Sequence, residues 1–287
     1  MRMKKLLSSV LACFLLCLPL PTLADTIEVP HGITSNREEA FAACVSSAQP
    51  ADSLLLPFTF RDFDAMGKDM YVQNILVPGD HPLYTSAEGV LFSKSMDTLV
   101  AYPLARPALF YSVPEGVLVL GEGSLQYWQC DLPYQIDDWE TVSPVITLPS
   151  SLKVIEPYAM TYAAIRQIIF PEGLIIIDEY AFEECEWLSA VTWPSTLTVI
   201  GEGAFCGCGF SELQLPEGLE VINAAAFSVC PLEKVILPRS LRYIDETAFW
   251  DSYSPETFEE PCFYVYPGSY AEQWVQEQGL PYAHVEP

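Results

Sequence analysis

The sequence predicts a β-rich α+β solenoid, an arc of coils that are each about 22 residues long, with a cap at each end. The first observation is a motif that repeats from residue 168 to residue 250, with prolines spaced 23, 22 and 22 residues apart. The second is that every copy has the same apolar positions after its proline. One coil of this length cannot bury its own apolar side chains, so such coils are stable only when they stack on their neighbours.

The repeat has four kinds of equivalent position. A leucine follows each proline by three residues, an isoleucine follows it by six, and an Ala-Phe pair comes next. This pattern is typical of leucine-rich repeats, in which equivalent side chains form apolar ladders. Two earlier coils begin at Pro114 and Pro149 without the Ala-Phe pair. The repeat positions are Pro171, Pro194, Pro216 and Pro238; Leu174, Leu197, Leu219 and Leu241; Ile177, Ile200, Ile222 and Ile244; and Ala181-Phe182, Ala204-Phe205, Ala226-Phe227 and Ala248-Phe249.

Residues 1–24 have the composition of a secretory signal peptide. A basic start is followed by an apolar segment from Leu6 to Leu20 and by small residues before a cut after Ala24. The apolar segment is too short to span a membrane. We therefore expect a secreted protein without a membrane span. The sequence leaves open whether a lipid is attached at Cys13 or Cys17.

The two ends of the mature chain lack the repeat, which we place at residues 71–262. Residues 25–70 contain a capping box, Ser35 to Glu38, which predicts the start of a helix. Because a solenoid must cover its first coil, we expect this segment to be an N-terminal cap, and a small independent module is the alternative. Residues 263–287 predict a strand and a helix from Tyr270 to Gln278, which would cover the last coil.

The formal charge of −25 excludes several classes of function. Nucleic acids and anionic membranes are bound by clustered Lys and Arg, so we expect neither as a partner. The three histidines, His31, His81 and His284, lie in no known nucleophile motif, and no phosphate-binding loop is present. We predict no catalytic residue, metal site or cofactor. A hydrolase that uses the N-terminal segment or an acidic insertion is the least favoured alternative.

Seven of the nine cysteines follow the predicted signal peptide. An odd number excludes complete intramolecular pairing. Cys185, Cys208 and Cys230 each come three residues after a repeat phenylalanine, which predicts a ladder of small buried thiols. Structural zinc at Cys206 and Cys208 is a second interpretation.

One interval between prolines is longer than the others. Pro114 and Pro149 are 35 residues apart, and the excess falls at residues 129–141. Insertions in solenoids project as loops from one face, which is often the binding face. The acidic and aromatic residues of this loop are therefore candidates for partner binding, with a plain surface excursion as the alternative. They are Asp137, Asp138, Trp139 and Glu140.

The strand before each proline predicts a second candidate surface. Period-two alternation places one set of residues inside and the other on an open face. That face carries little charge and suits a protein or glycan partner, with bare scaffold as the alternative. Its predicted residues are Phe110, Ser112, Val145, Thr147, Gln167, Ile169, Ala190, Thr192, Glu212, Gln214, Lys234 and Ile236.

The repeat resembles the bacterial BspA-type leucine-rich repeat over most of the chain, from Asn74 to Val285. The resemblance implies non-catalytic recognition or adhesion outside the cell. We expect a monomer that is secreted or attached non-covalently to the bacterial cell surface. A structural envelope protein without a dedicated ligand is the alternative. The resemblance is carried by Leu213–Ile222 followed by Ala226–Cys230, by Gly89–Phe92, Thr98–Pro103 and Val113–Val117, and by Tyr266–Gln273.

Overall fold

The computed structural model describes residues 26–47, 51–65, 71–106, 108–129, 144–252 and 260–286. The predicted signal peptide, including Cys13 and Cys17, lies outside these residues. Within them no helix is long and apolar enough to cross a membrane.

The described residues are mainly short strands. The helices are α1 (Glu39–Ser47) and α2 (Tyr270–Gln278). The strands are β1 (Thr26–Glu28), β2 (Ser53–Leu55), β3 (Asn74–Leu76), β4 (Tyr84–Ala87), β5 (Val90–Ser93), β6 (Thr98–Ala101), β7 (Phe110–Ser112), β8 (Val119–Leu120), β9 (Val145–Thr147), β10 (Val154–Ile155), β11 (Gln167–Ile169), β12 (Ile176–Ile177), β13 (Ala190–Thr192), β14 (Val199–Ile200), β15 (Glu212–Gln214), β16 (Val221–Ile222), β17 (Lys234–Ile236), β18 (Tyr243–Ile244), β19 (Cys262–Val265) and β20 (Tyr282–His284).

Each of the six coils contributes two strands, one on either side of its proline. The post-proline strands, β8, β10, β12, β14, β16 and β18, pair in parallel within one nine-stranded sheet that ends in the antiparallel strands β5 and β4. Their register aligns equivalent repeat positions, so that Ile177 pairs with Ile155 and with Ile200. The structure therefore confirms the predicted leucine-rich repeat solenoid, including the two early coils that lack the Ala-Phe pair.

Stacked phenylalanines run through the core of the solenoid. The ring centroids of Phe182 and Phe205 are 5.1 Å apart, and Phe227 lies 5.5 Å from both Phe205 and Phe249. Phe182, Phe205 and Phe227 are fully buried. The repeat leucines and isoleucines are buried as well. Each coil thus covers the apolar side chains of the coil before it, as the repeat predicts.

The turns at the prolines join the coils two by two. The Glu172 carboxylate accepts hydrogen bonds from the backbone N–H and the hydroxyl of Ser195, at 3.1 and 2.9 Å. The Thr196 hydroxyl accepts from the Gly173 N–H and donates to the Leu174 carbonyl, both at 2.8 Å. Equivalent bonds join the coil at Pro114 to the coil at Pro149, and the coil at Pro216 to the coil at Pro238. The pairing explains an alternation in the sequence. The first coil of each pair has Pro-Glu-Gly, and the second has Pro-Ser or Pro-Arg.

The N-terminal segment joins the solenoid through its sheet and its core. Strands β1, β2 and β3 form a parallel sheet, and β3 already lies within the region assigned to the repeats. Phe41 and Phe60 are buried in a second apolar cluster that also contains Leu91 and Ala101 of the β5–β6 hairpin. The predicted capping box is present, because the Glu38 carboxylate accepts the Ser35 N–H at 3.0 Å. The division of the chain at residue 70 stays a prediction.

The C-terminal segment covers the last coil. Strand β19 pairs with β17, and β20 pairs with β19. The Ser269 hydroxyl caps α2 by accepting the Glu272 N–H, and Gly279 ends the helix in a left-handed conformation. Trp274 is 5% exposed and its ring lies 6.0 Å from that of Phe249. The aromatic ladder therefore ends against this helix.

Two columns of left-handed residues run along the stack, the first with one residue in each of the first five coils and the second with one residue in each of the six coils. The first column contains Gly123, Tyr158, Tyr180, Gly203 and Ala225, and the second contains Tyr127, Tyr162, Glu184, Gly207, Val229 and Asp251. In the second column, the N–H of each residue from Tyr127 to Val229 donates to a carbonyl of the next coil. The conformation is thus a property of the repeat, although only some coils have glycine there.

Val229 is the least favourable residue in these columns. It is β-branched, it has φ of 58°, and 54% of its surface is exposed. A left-handed conformation costs a residue with a Cβ atom about 1–2 kcal/mol. We expect Val229→Gly to raise the free energy of unfolding by about 1 kcal/mol, measured by denaturant titration. Val221→Gly in strand β16 is the control and should lower it, and a loss of stability in both variants would contradict the prediction.

Candidate functional site

The predicted open face is present along the pre-proline strands, β7, β9, β11, β13, β15 and β17. The middle residues of β9, β11, β15 and β17 are buried, and those of β7 and β13 are partly buried. The flanking residues lie on the other side of the strands. Phe110, Ser112, Thr147, Gln167, Ile169, Ala190, Thr192, Glu212 and Gln214 are exposed, and Val145, Lys234 and Ile236 are partly buried.

The face mixes apolar and polar side chains and carries little charge. Phe110 and Ile169 are 70% and 67% exposed. Glu212 and Lys234 are the charged residues among the twelve, and they are neighbours in register on β15 and β17. Their charges are opposite, so the face has no net charge on a protein whose formal charge is −25.

The pre-proline strands pair as three separate sheets. β7 pairs with β9, β11 pairs with β13, and β15 continues through β17 and β19 to β20. No ladder joins the described strands β13 and β15. The uninterrupted sheet is the one made by the post-proline strands, which the sequence analysis did not recognise as strands.

A groove of about 380 Å³ lies where the pre-proline sheets are interrupted. We call it the Trp193 groove. Its lining includes Thr192, Gln214 and Ile236 of the predicted face, together with Trp193 and Tyr266. The Trp193 ring packs against Phe170 at 5.6 Å and edge-on against Phe205 at 5.4 Å, which holds it in place. The groove therefore combines two aromatic side chains with an amide and a hydroxyl.

Charges lie at one edge of the Trp193 groove. The Arg239 guanidinium is 4.2 Å from the centroid of the Tyr266 ring. The Glu217 carboxylate, which is part of the lining, accepts the backbone N–H of Arg239 at 3.2 Å. Trp193, Tyr266 and Glu217 were not among the binding residues predicted from the sequence. One sequence feature could have indicated this groove. A tryptophan directly precedes Pro194, whereas the other coils have a smaller residue at that position.

Stacked tyrosines on the left-handed columns are a second feature that the sequence analysis missed. Tyr127 stacks on Tyr162 at 5.2 Å, and Tyr158 stacks on Tyr180 at 5.3 Å. The Tyr180 hydroxyl donates to Glu202 at 2.6 Å, and this bond is the first cause that raises the pKa of Tyr180 to about 12. Tyr158 and Tyr180 each come three residues after a repeat isoleucine, and this spacing was visible in the sequence.

The three repeat cysteines form the predicted ladder of buried thiols. The thiols of Cys185, Cys208 and Cys230 donate to backbone carbonyls of the preceding coil at 3.1–3.2 Å. Burial raises the pKa of Cys185 and of Cys230 to about 12, so both stay protonated at neutral pH. Protonated, hydrogen-bonded thiols are poor metal ligands. Among the described residues no group of three or more His, Cys, Asp or Glu is placed to hold a metal ion.

Two of the three histidines have structural partners. His81 is fully buried, and its Nδ1 accepts the N–H groups of Leu83 and Tyr84 at 3.3 and 3.1 Å. The His284 Nε2 lies 2.6 Å from the Glu272 carboxylate. These contacts give the hydrolase alternative no support.

The candidate residues of the insertion lie outside the described residues. Asp137, Asp138, Trp139 and Glu140 belong to the segment 130–143. Gln129, directly before it, donates from its amide to the Arg106 carbonyl at 2.8 Å. A role for the loop in binding therefore stays a prediction.

Comparison with known proteins identifies the repeat and the fold. The model of the family described as BspA type Leucine rich repeat region matches residues 142–261, with six copies. No curated protein matches the sequence significantly.

Three solved structures have a similar fold. The pneumococcal vaccine antigen PcpA has a TM-score of 0.64 and 17% identity, over 83% of this chain and 56% of that one. A leucine rich cell surface protein from Faecalibacterium prausnitzii has a TM-score of 0.52 and 21% identity, over 87% and 61%. A leucine-rich repeat protein from Eubacterium ventriosum has a TM-score of 0.57 and 16% identity, over 83% and 61%. This chain spans about three fifths of the length of each, and the similarity concerns the fold. The family model thus identifies BspA-type leucine-rich repeats in residues 142–261 of this chain.

Proposed function

We propose that this protein is a non-catalytic recognition module that binds a protein or glycan through the face of its pre-proline strands. The observation that carries the proposal is the character of that face. Phe110 and Ile169 expose large apolar side chains there, and the face has no net charge on a strongly acidic protein. Exposed apolar groups on a face without net charge suit the binding of a protein or glycan.

The proposed location is outside the cell, with the protein secreted or attached non-covalently to the bacterial surface. The predicted signal peptide supports this location, and so does the fold shared with a leucine rich cell surface protein of Faecalibacterium prausnitzii. We propose a monomer, because the helix α2 covers one end of the solenoid and leaves no uncovered coil there for a second copy.

The test is binding of the chain without its predicted signal peptide to an array of extracellular-matrix proteins and glycans. The decisive variant is Ile169→Glu, which places a charge on the centre of the face. Ile175→Glu is the matched control, because Ile175 is also exposed and lies in the same coil, but directly before post-proline strand β12. We expect Ile169→Glu to weaken a saturable interaction at least tenfold, with less than a twofold change for Ile175→Glu.

Other outcomes would contradict the proposal. Equal effects of the two variants would place the contact elsewhere, and deletion of residues 129–141 would then test the insertion. Absence of binding across the array by a folded protein would favour the structural envelope protein.

A further inference from the structure

The Trp193 groove differs from the rest of the surface in its chemistry. Residues 167–233 contain eleven acidic residues and no Lys or Arg. Glu217 is the acidic residue of that segment that lines the groove, and its carboxylate already accepts the Arg239 N–H. Thr192 and Gln214 supply neutral polar groups instead. The lining is therefore suited to an uncharged ligand that forms hydrogen bonds.

The polar groups of the groove match sugar hydroxyls. A threonine hydroxyl and a glutamine amide each contain a donor and an acceptor, as every sugar hydroxyl does. Thr192 and Gln214 are both exposed and lie on neighbouring coils, at the carboxyl ends of β13 and β15. Both side chains line the groove, so a ligand with several hydroxyls can contact both.

The aromatic groups of the groove match the C–H faces of sugar rings. Trp193 and Tyr266 combine an apolar ring with a polar tip, which suits a ligand that is apolar on its faces and polar on its edges. Trp193 is held by Phe170 and Phe205, so little conformational entropy is lost when a ligand stacks on it. The volume of about 380 Å³ lies within the ordinary range of ligand pockets.

We propose that the Trp193 groove binds a neutral oligosaccharide, with Trp193 as the stacking platform and with Thr192 and Gln214 as hydrogen-bonding groups. The inference rests on the proposed recognition function and names its ligand class. An acidic oligosaccharide fits less well, because the neighbouring surface is rich in carboxylates. Strands β13 and β15 each have one unpaired edge, so a peptide that pairs with one of them is the competing ligand, which the titration tests.

The experiment is isothermal titration of the chain without its predicted signal peptide. The probes are neutral tetrasaccharides of glucose, xylose, mannose and N-acetylglucosamine, a uronate tetrasaccharide and an unstructured glycine-serine peptide. We expect at least one neutral tetrasaccharide to bind saturably, and the uronate and the peptide not to bind.

Two pairs of variants locate the site. Gln214→Leu removes the amide, and Gln273→Leu is its control, because Gln273 is exposed on helix α2, outside the groove and the face. Thr192→Arg fills the groove, and Thr198→Arg is its control, because Thr198 lies in the same coil but directly before post-proline strand β14. We expect Gln214→Leu and Thr192→Arg each to weaken binding at least tenfold, and the controls to change it less than twofold. Unchanged melting temperatures will establish that all four variants are folded.

The outcomes separate the ligand class from the broader function. Preference for the uronate or the peptide, or equal losses in variant and control, would overturn the groove assignment. The Ile169→Glu result on the protein array would still decide the recognition function. One result would refute the inference but leave the proposed function standing. In that result no neutral sugar binds, and protein binding is lost in Ile169→Glu but unchanged in Gln214→Leu.

Discussion

Phe227→Ala is expected to lower the free energy of unfolding by about 3–5 kcal/mol. The Phe227 ring is fully buried and is stacked between Phe205 and Phe249, at 5.5 Å from each and nearly parallel to both. Removing it therefore leaves a cavity in the centre of the ladder that neighbouring coils cannot fill without breaking their own stacking. Chemical denaturation monitored by circular dichroism measures the loss.

Trp250→Ala is the control for this prediction. Trp250 is also a large aromatic residue of the last coil, but 70% of its surface is exposed. Its contribution to the repeat is a backbone carbonyl that accepts the Val229 N–H at 3.1 Å, and alanine retains that group. We expect a change below about 0.5 kcal/mol, as for most surface substitutions. If both variants lost a similar free energy of unfolding, burial in the phenylalanine ladder would not be what stabilises the stack.

Gly218→Ala is expected to cost about 2–5 kcal/mol. Gly218 has φ of 116°, which residues with a side chain rarely adopt. A Cβ atom there would lie 2.5 Å from the Ser195 carbonyl oxygen, which belongs to the backbone of the previous coil. The substitution thus adds a collision between coils to a torsional cost. Thermal unfolding of the variant measures the sum.

Gly116→Ala separates the two costs. Gly116 occupies the same position of the first coil and has φ of 97°, but a Cβ atom there meets nothing within 4 Å. We expect only the torsional cost, about 1–3 kcal/mol. Equal effects at both positions would show that the close approach of the coils at Ser195 is relieved by a small shift.

The apolar positions of the repeat were predictable because they recur at a fixed period. A side chain that must be buried by the next coil has to recur once per coil, so Leu174, Ile177 and Phe182 define a register that the later coils repeat. The buried cysteines followed from the same register. The alternation in the pre-proline strands was predictable for a similar reason, since strands of three residues show the period of two.

The post-proline sheet was not recognised because its strands are too short. Each consists of two residues, such as Val199–Ile200, and two residues contain no period. They become a sheet only through their neighbours, which supply both hydrogen-bonding partners. The left-handed columns were missed for a related reason. Most of their residues are not glycine, so composition did not mark a conformation that the hydrogen bonds between coils impose.

By itself the sequence determined the solenoid, its period and the buried face of each coil, because these depend on side chains that recur at equal intervals. Only the tertiary structure decided the Trp193 groove. Its walls come from Trp193 in one coil and from Tyr266, which follows the last coil. Their proximity depends on the interrupted pairing between β13 and β15 and on the path of the chain after β19. Contacts between residues that are distant in the chain arise from the stacking of whole coils, and no local pattern encodes them.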